Sequence, residues 1–176
     1  MSPDNDVVAA RQQAARLGAT TEIRDVRLLS STVDLAQLPE AIERLTYNFD
    51  TDVNVDYDDG TPSFVVRCTY KLVVMEALAE ATTQNPEASQ SKVLDMTFTH
   101  GALFTFTRDE GEPPPTQDEL GAYAFSTGQF ALYPFAREYV HDVTVRLGLP
   151  PLTIGLLQIP LPESAEAYEE VPGTVE

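Results

Sequence analysis

Residues 46–57, TYNFDTDVNVDY, alternate without a fault. Tyr47, Phe49, Thr51, Val53, Val55 and Tyr57 form one row, and Asn48, Asp50, Asp52, Asn54 and Asp56 the other. A period of two held this long fits only a strand with one apolar and one wet face. The rest of the chain must supply what covers the apolar row. Asp58-Asp59-Gly60-Thr61-Pro62 is a hairpin turn. It leads into a second strand, 63–78, with Phe64, Val66, Cys68, Tyr70, Leu72 and Val74 on its core face. Arg67, Thr69 and Lys71 face away, together with Val65, Val73 and Met75. After a connection over 79–89, a further strand over 90–108 carries Leu94, Met96, Phe98, Ala102, Phe104 and Phe106 on one face, which His100 continues.

Upstream, residues 19–33, ATTEIRDVRLLSSTV, also read as a strand. Its alternation shifts at Leu28-Leu29, the mark of a bulge or of a strand covered on both faces. Residues 34–45, DLAQLPEAIERL, form a crossing loop with room for one helical turn. Downstream, Asp109–Glu119, DEGEPPPTQDE, reads as an acidic, proline-rich linker without secondary structure. Leu120–Leu152 then reads as a helix, a break at Tyr133-Pro134, and a second helix. In that second helix Phe135, Tyr139, Val140, Val143 and Leu147 make an apolar stripe, opposite Arg137, Glu138, His141, Asp142 and Arg146. Pro134 suits a first helical position, and Gly148 before Pro150-Pro151 is a stop. The expected fold is α+β: a four-stranded antiparallel sheet with a crossing loop after strand 1, followed by two helices packed on one side. Residues 1–18 are expected to be a flexible arm or short helix, 19–160 the domain, and 161–176 an acidic disordered tail.

Strand length has a consequence. Runs of ~16–19 residues reach roughly 55–60 Å, whereas a helix of about 15 residues spans only ~22 Å. Such a helix cannot cover the whole apolar face. What it leaves bare must meet another copy, meet a partner, or form a groove.

Charge and composition narrow the function. Twenty-eight acids against eleven basic residues give a net charge of −17, a surface that repels nucleic acid and anionic lipid. A single cysteine rules out an intrachain disulfide. The first 18 residues lack the pattern of a signal peptide, and no apolar run approaches the ~20 residues of a membrane span. A cytoplasmic protein without membrane insertion is the expectation. The acids from Asp50 to Asp59 do not form a calcium loop, because the required glycine and glutamate positions hold Val55 and Thr61. They read instead as a solvated strand face, with Asp34, Asp50, Asp52 and Asp56 as acidic contacts for a basic partner. Cys68, inside a core row, reads as a buried inert thiol. Ser126, His141 and Asp142 name the members of a triad without its setting. No catalytic residues, metal site or cofactor are expected, and the chain reads as a non-enzyme.

Leu120-Gly121-Ala122-Tyr123, Leu132-Tyr133-Pro134-Phe135-Ala136-Arg137-Glu138 and the exit Gly148-Leu149-Pro150-Pro151-Leu152 together resemble the SecB protein-export chaperone family. That resemblance covers about residues 19–160. It implies the four-stranded fold with its crossing loop, a homotetramer built as a dimer of dimers, and an ATP-independent holdase that keeps unfolded or precursor polypeptides in long apolar grooves. It places Leu35 and Leu38 on the groove's loop, Tyr47, Phe49, Val53 and Phe104 on its sheet, and Tyr123, Phe125 and Phe130 on its first helix. Pro134, Arg137, Glu138 and Gly148 become structural motif residues, with Arg137 and Glu138 tying the helix to its neighbours. The family's export members carry a cysteine- and histidine-containing tail for zinc and for docking on the export motor ATPase; residues 160–176 contain neither. The acidic docking positions of the first strand correspond to Ser30 or Ser31 and Asp34. Some tail-less relatives serve as dedicated chaperones of antitoxins in toxin–antitoxin systems, so the resemblance implies an antitoxin as the second client class beside export precursors, with the export motor ATPase as a further candidate partner. The competing reading is an oligomerisation or protein-interaction domain that uses the same strands without chaperone activity. A small-molecule hydrolase or lyase would need a closed pocket at His100.

Overall fold

The structure, a computed structural model, describes residues 14–78 and 90–157. Four strands, β1 (Thr21–Leu35), β2 (Leu45–Tyr57), β3 (Ser63–Ala77) and β4 (Gln90–Phe106), form one antiparallel sheet in the order β1-β4-β3-β2. The expected α+β sheet is therefore present, and β1 and β2 are its two borders. The β2–β3 hairpin turns at Gly60, whose φ of 109° suits a residue without Cβ. Because consecutive strands β1 and β2 sit on opposite borders, the chain between them must cross the ends of β4 and β3. It is tied down as it goes: Ala36 N–H donates to the Val93 carbonyl at 2.9 Å and the Gln37 side-chain amide to Ser91 Oγ at 2.7 Å. The crossing ends in one 3-10 turn, Ile42–Arg44.

The shift in the alternation of the first strand is real. The β1–β4 register slips between Leu28 and Ser30, leaving Leu29 as the extra residue, and again between Ile23 and Asp25. Leu29 folds onto the outer face over Gly101, where a Cβ would stand 2.6 Å from the leucine methyl.

Residues 117–146 are helical without interruption: α1 (Gln117–Tyr123), a single π turn (Ala124–Gly128) and α2 (Gln129–Arg146). Thr116 caps this rod in a reciprocal box with Glu119, whose carboxylate accepts the Thr116 N–H at 2.8 Å. Gln117–Glu119 are thus helix and not linker, since the T-x-x-E spacing outweighs the prolines before it. The expected break at Tyr133-Pro134 does not occur either. Pro134 lies inside α2 on its solvent side, where water can meet the Phe130 carbonyl that proline leaves unpaired. The irregularity comes earlier, at the π turn, where the Gln129 N–H reaches back to the Ala124 carbonyl. There Gly128 lets the rod settle on β3; a Cβ would lie 3.0 Å from both Val66 methyls.

The core lies between rod and sheet. Tyr123 stands edge-on to Phe64 and to Phe104, each at 5.4 Å between centroids. Leu120, Ala124, Leu132, Ala136 and Val140 are buried along the rod with Thr144. The expected stripe is out of phase at its start: Phe135 is exposed, because the small residues Gly128 and Ala136 form the line of closest approach. The helix ends as the glycine predicts. Gly148 has φ +75°, its N–H donates to Val145 O and that of Leu149 to Thr144 O, both at 3.0 Å.

Of the two readings of residues 1–18, a flexible arm or a short helix, the described part is the helix. Residues 14–18 are helical, Ala14 and Leu17 are buried, and the Arg16 guanidinium bridges Glu112 at 2.8 Å and Glu119 at 3.3 Å. Apolar residues on one side and a cation among acids on the other hold that turn to the domain. The remainder of the arm, the 79–89 connection and the acidic tail lie outside the described residues.

Candidate functional site

Rod and sheet leave apolar surface uncovered, as strand length requires. On the core-facing side of β1, Ile23, Leu28 and Val33 remain exposed, although Tyr139 reaches across to donate its hydroxyl proton to Ser31 Oγ. At the other border, where the crossing loop joins β2, Ile42, Leu45, Tyr47 and Val74 form one wall of an apolar cleft. Leu149, Pro150, Pro151 and Leu152 form the other. Ile42 is 60% exposed and Tyr47 43%, on a chain of strong negative charge.

The second wall is placed by the motif residues. After Gly148 the chain doubles back along α2 in extended form. Leu152 N–H donates to Thr144 Oγ1 at 3.1 Å, Arg137 Nε to the Ile154 carbonyl at 3.1 Å, and Tyr133 Oη to the Gly155 carbonyl at 2.7 Å. Burial raises the Tyr133 phenol pKa, so it remains the protonated donor. Ile154 is buried under this strap. Arg137 therefore ties the helix to the strap, while Glu138 makes no ion pair or side-chain hydrogen bond among the described residues.

The groove residues read from the sequence divide into four sets. Tyr47 lines the cleft; Phe49 and Val53 continue its row along β2, half-buried, with Phe49 stacked on Tyr70 at 5.6 Å and edge-on to Tyr133 at 6.3 Å. Leu35, expected on the loop, is instead the last residue of β1, half-buried opposite Leu94, while Leu38 is on the loop and 65% exposed. Phe125 and Phe130 are exposed on the rod, away from the cleft lining. Phe104 and Tyr123 are corrections. Both are core residues against Phe64, Phe104 stacked on it and Tyr123 edge-on, because the close approach of rod and sheet closes over them.

Ile42, Leu45 and the Leu149–Leu152 wall were missed. Pro150-Pro151 read only as a helix stop, and Ile42 with Leu45 only as part of a loop. Their signal was the i, i+3 apolar pair flanking a single turn.

The four candidate acids do not form one patch. All share the outer face, but Asp34 is on β1 and Asp50, Asp52 and Asp56 are on β2, three strand spacings (roughly 14 Å) apart. Asp56 pairs with Arg67, and Asp50 and Asp52 accept from Asn48 and Asn54 at 2.8 and 2.7 Å.

Nothing assembles the listless triad of Ser126, His141 and Asp142. Ser126 donates to the Ala122 carbonyl at 2.7 Å, Asp142 pairs with Arg146 at 2.8 Å, and His141 is exposed. Cys68 is fully buried, and burial pushes its thiol up to about 11. His100 is buried among Phe98, Phe135 and Tyr139; burial lowers its pKa against the opposing pull of Glu138. Among the described residues no group of His, Cys, Asp or Glu is arranged to hold a metal ion. No described helix is long and apolar enough to cross a membrane.

A sheet half covered by one rod, with an apolar cleft at its border and no assembled reactive centre among the described residues, has the surface of a polypeptide-binding domain. Comparison with known proteins specifies it. The chain is 40% identical over 167 residues to the SecB-like chaperone Rv1957 of Mycobacterium tuberculosis strain H37Rv, covering 93% of this chain and 92% of that one. It matches the SecB-like chaperone MT2006 of strain CDC 1551 to the same extent. No family model matches. Among solved structures, Rv1957 in complex with a ChAD peptide from the Rv1956 HigA1 antitoxin superposes with a TM-score of 0.72 at 39% identity, covering 85% of this chain and 99% of that one. The chain belongs to the SecB-like chaperone family. This places it with chaperones and not with a family of enzymes.

Proposed function

We propose that the protein is an ATP-independent holdase whose client is an antitoxin, gripped by a non-native segment laid along the apolar cleft and the β2 row. The observation that carries the reading is the cleft itself: Ile42 and Tyr47 stand exposed beside Leu149–Leu152 on a molecule with a net charge of −17. Burial of apolar area is non-directional, so such a surface accepts chains by their exposed side chains and not by their folded shape. The antitoxin class is favoured over general export by the structural relative solved with an antitoxin peptide. It is favoured too by the first-strand docking positions that the family resemblance implies, of which Ser30 or Ser31 lacks the acid while Asp34 keeps it. Such a client is made and held in the cytoplasm, which the reading takes as the compartment.

The working unit in this reading is a dimer of dimers. Two features support it: the uncharged middle of the β1 border, Leu28–Val33, and the exposed Phe125, Phe130 and Phe135 along the rod. Light scattering of the purified protein measures the assembly. The function is tested by adding the protein to an aggregating antitoxin and, separately, to a denatured secretory precursor. Suppression for the antitoxin near one tetramer per chain is expected. Suppression for the precursor alone would select export, and failure with both would leave an oligomerisation domain.

A further inference from the structure

The core face of the sheet is apolar along β3 except at its end, where Glu76 continues the phase of Phe64, Val66, Cys68, Tyr70, Leu72 and Val74. The residue is only 3% exposed, and no cation among the described residues is paired with its carboxylate. Both oxygens are used on the crossing loop: Oε1 accepts the Ala41 N–H at 2.6 Å and Oε2 the Glu40 N–H at 3.1 Å. A buried carboxylate left unpaired would be strongly unfavourable, so these two amides and the carboxylate hold one another in place. The next residue is Ile42, and Leu45 lies directly opposite Glu76 in the β2–β3 register; both line the cleft.

We infer that Glu76 is the latch of the crossing loop: by seizing the amides of Glu40 and Ala41 it fixes Ile42 at the cleft's rim, and so positions the surface that grips an apolar client segment. Glu76 touches no client; it acts through the loop. The role rests on the holdase reading, but the latch itself does not. The loop has other ties, at Ala36 and Gln37, near its start. Among the described residues, the hydrogen bonds that join its far end, where the cleft begins, to the sheet are those accepted by Glu76.

Amide hydrogen exchange on the unaltered protein tests the latch without any variant. Glu40 and Ala41 amides are expected to exchange at least tenfold more slowly than the neighbouring loop amide of Leu38. Equal rates overturn the latch. Glu76→Gln keeps the shape but presents a donor to one of the two amides. Its exchange at Glu40 and Ala41 is expected to rise at least tenfold while β4 amides stay protected. Its affinity for reduced, carboxamidomethylated lysozyme, used as the unfolded probe, is expected to fall at least fivefold, with Glu76→Asp restoring part of both. Faster exchange with unchanged affinity overturns the positioning role. If the unaltered protein does not bind the probe while exchange shows the latch, the holdase reading fails and the latch stands.

Discussion

Replacing Ile42 and Tyr47 together by serine separates grip from fold. Complete burial of a large apolar side chain is worth ~1.5–3 kcal/mol. With Ile42 60% and Tyr47 43% exposed, the area still open to a client leaves about 1–2 kcal/mol at the first and about 0.6–1.3 kcal/mol at the second. Taken as additive, the pair contributes about 2–3 kcal/mol, or roughly 30- to 150-fold in affinity. The part of each side chain already covered in the free protein carries the remainder of the same range, about 1.5–3 kcal/mol of stability for the pair. Anisotropy titration of a labelled unfolded chain gives the affinity, and urea unfolding gives the stability. Phe104→Ser is the converse control: a core ring stacked on Phe64 at 5.4 Å, whose loss costs about 3–5 kcal/mol of stability. An affinity unchanged within threefold in a folded double variant would refute the reasoning. So would a loss of binding that disappears once only the folded fraction of the variant is counted.

His100 is neutral in the fold because burial holds its pKa below the ordinary 6.5. The unfolded chain therefore takes up a proton first as pH falls, so this contribution is complete above about pH 6.5 and declines below it toward the folded pKa. Urea midpoints should fall between pH 7.5 and 5.5, and less steeply in His100→Gln; equal slopes would refute the assignment. Gly128→Val forces a side chain into space where a Cβ already lies 3.0 Å from the Val66 methyls, and should lower stability by about 1–3 kcal/mol in thermal melts. Cys68, with its thiol raised to about 11 and no exposure, should react with a thiol reagent at pH 8 only after denaturant is added.

The sheet was legible because burial imposes a period of two on any strand with one wet face, and Tyr47–Tyr57, Phe64–Val74 and Leu94–Phe106 keep that period throughout. Even the bulge at Leu29 was visible, as two adjacent leucines where one was due. The rod was less so. Proline and the residue before it argue for a break, yet Pro134 faces water and the helix carries on; the π turn at Ala124–Gly128 has no comparable mark. The exposed part of the cleft was only partly readable, since a loop isoleucine and a proline pair acquire meaning only when β1 and β2 are known to be on opposite borders. Phe104 and Tyr123 show the limit of reading by facing: a row of aromatic residues does not say which of them another element will cover. Glu76 was legible in principle, as an acid in phase with six core residues.

The two borders of the sheet are chemically unlike. β2 presents acids at Asp50, Asp52 and Asp56, while β1 has an uncharged centre from Leu28 to Val33. Two copies of β2 laid side by side would bring carboxylates face to face; two copies of β1 would not. Any pairing through strands would on this account use the β1 side of each molecule. A union of that kind is complete at two chains, and the ribbon of unlimited length that two permissive sides would allow has no second place to start.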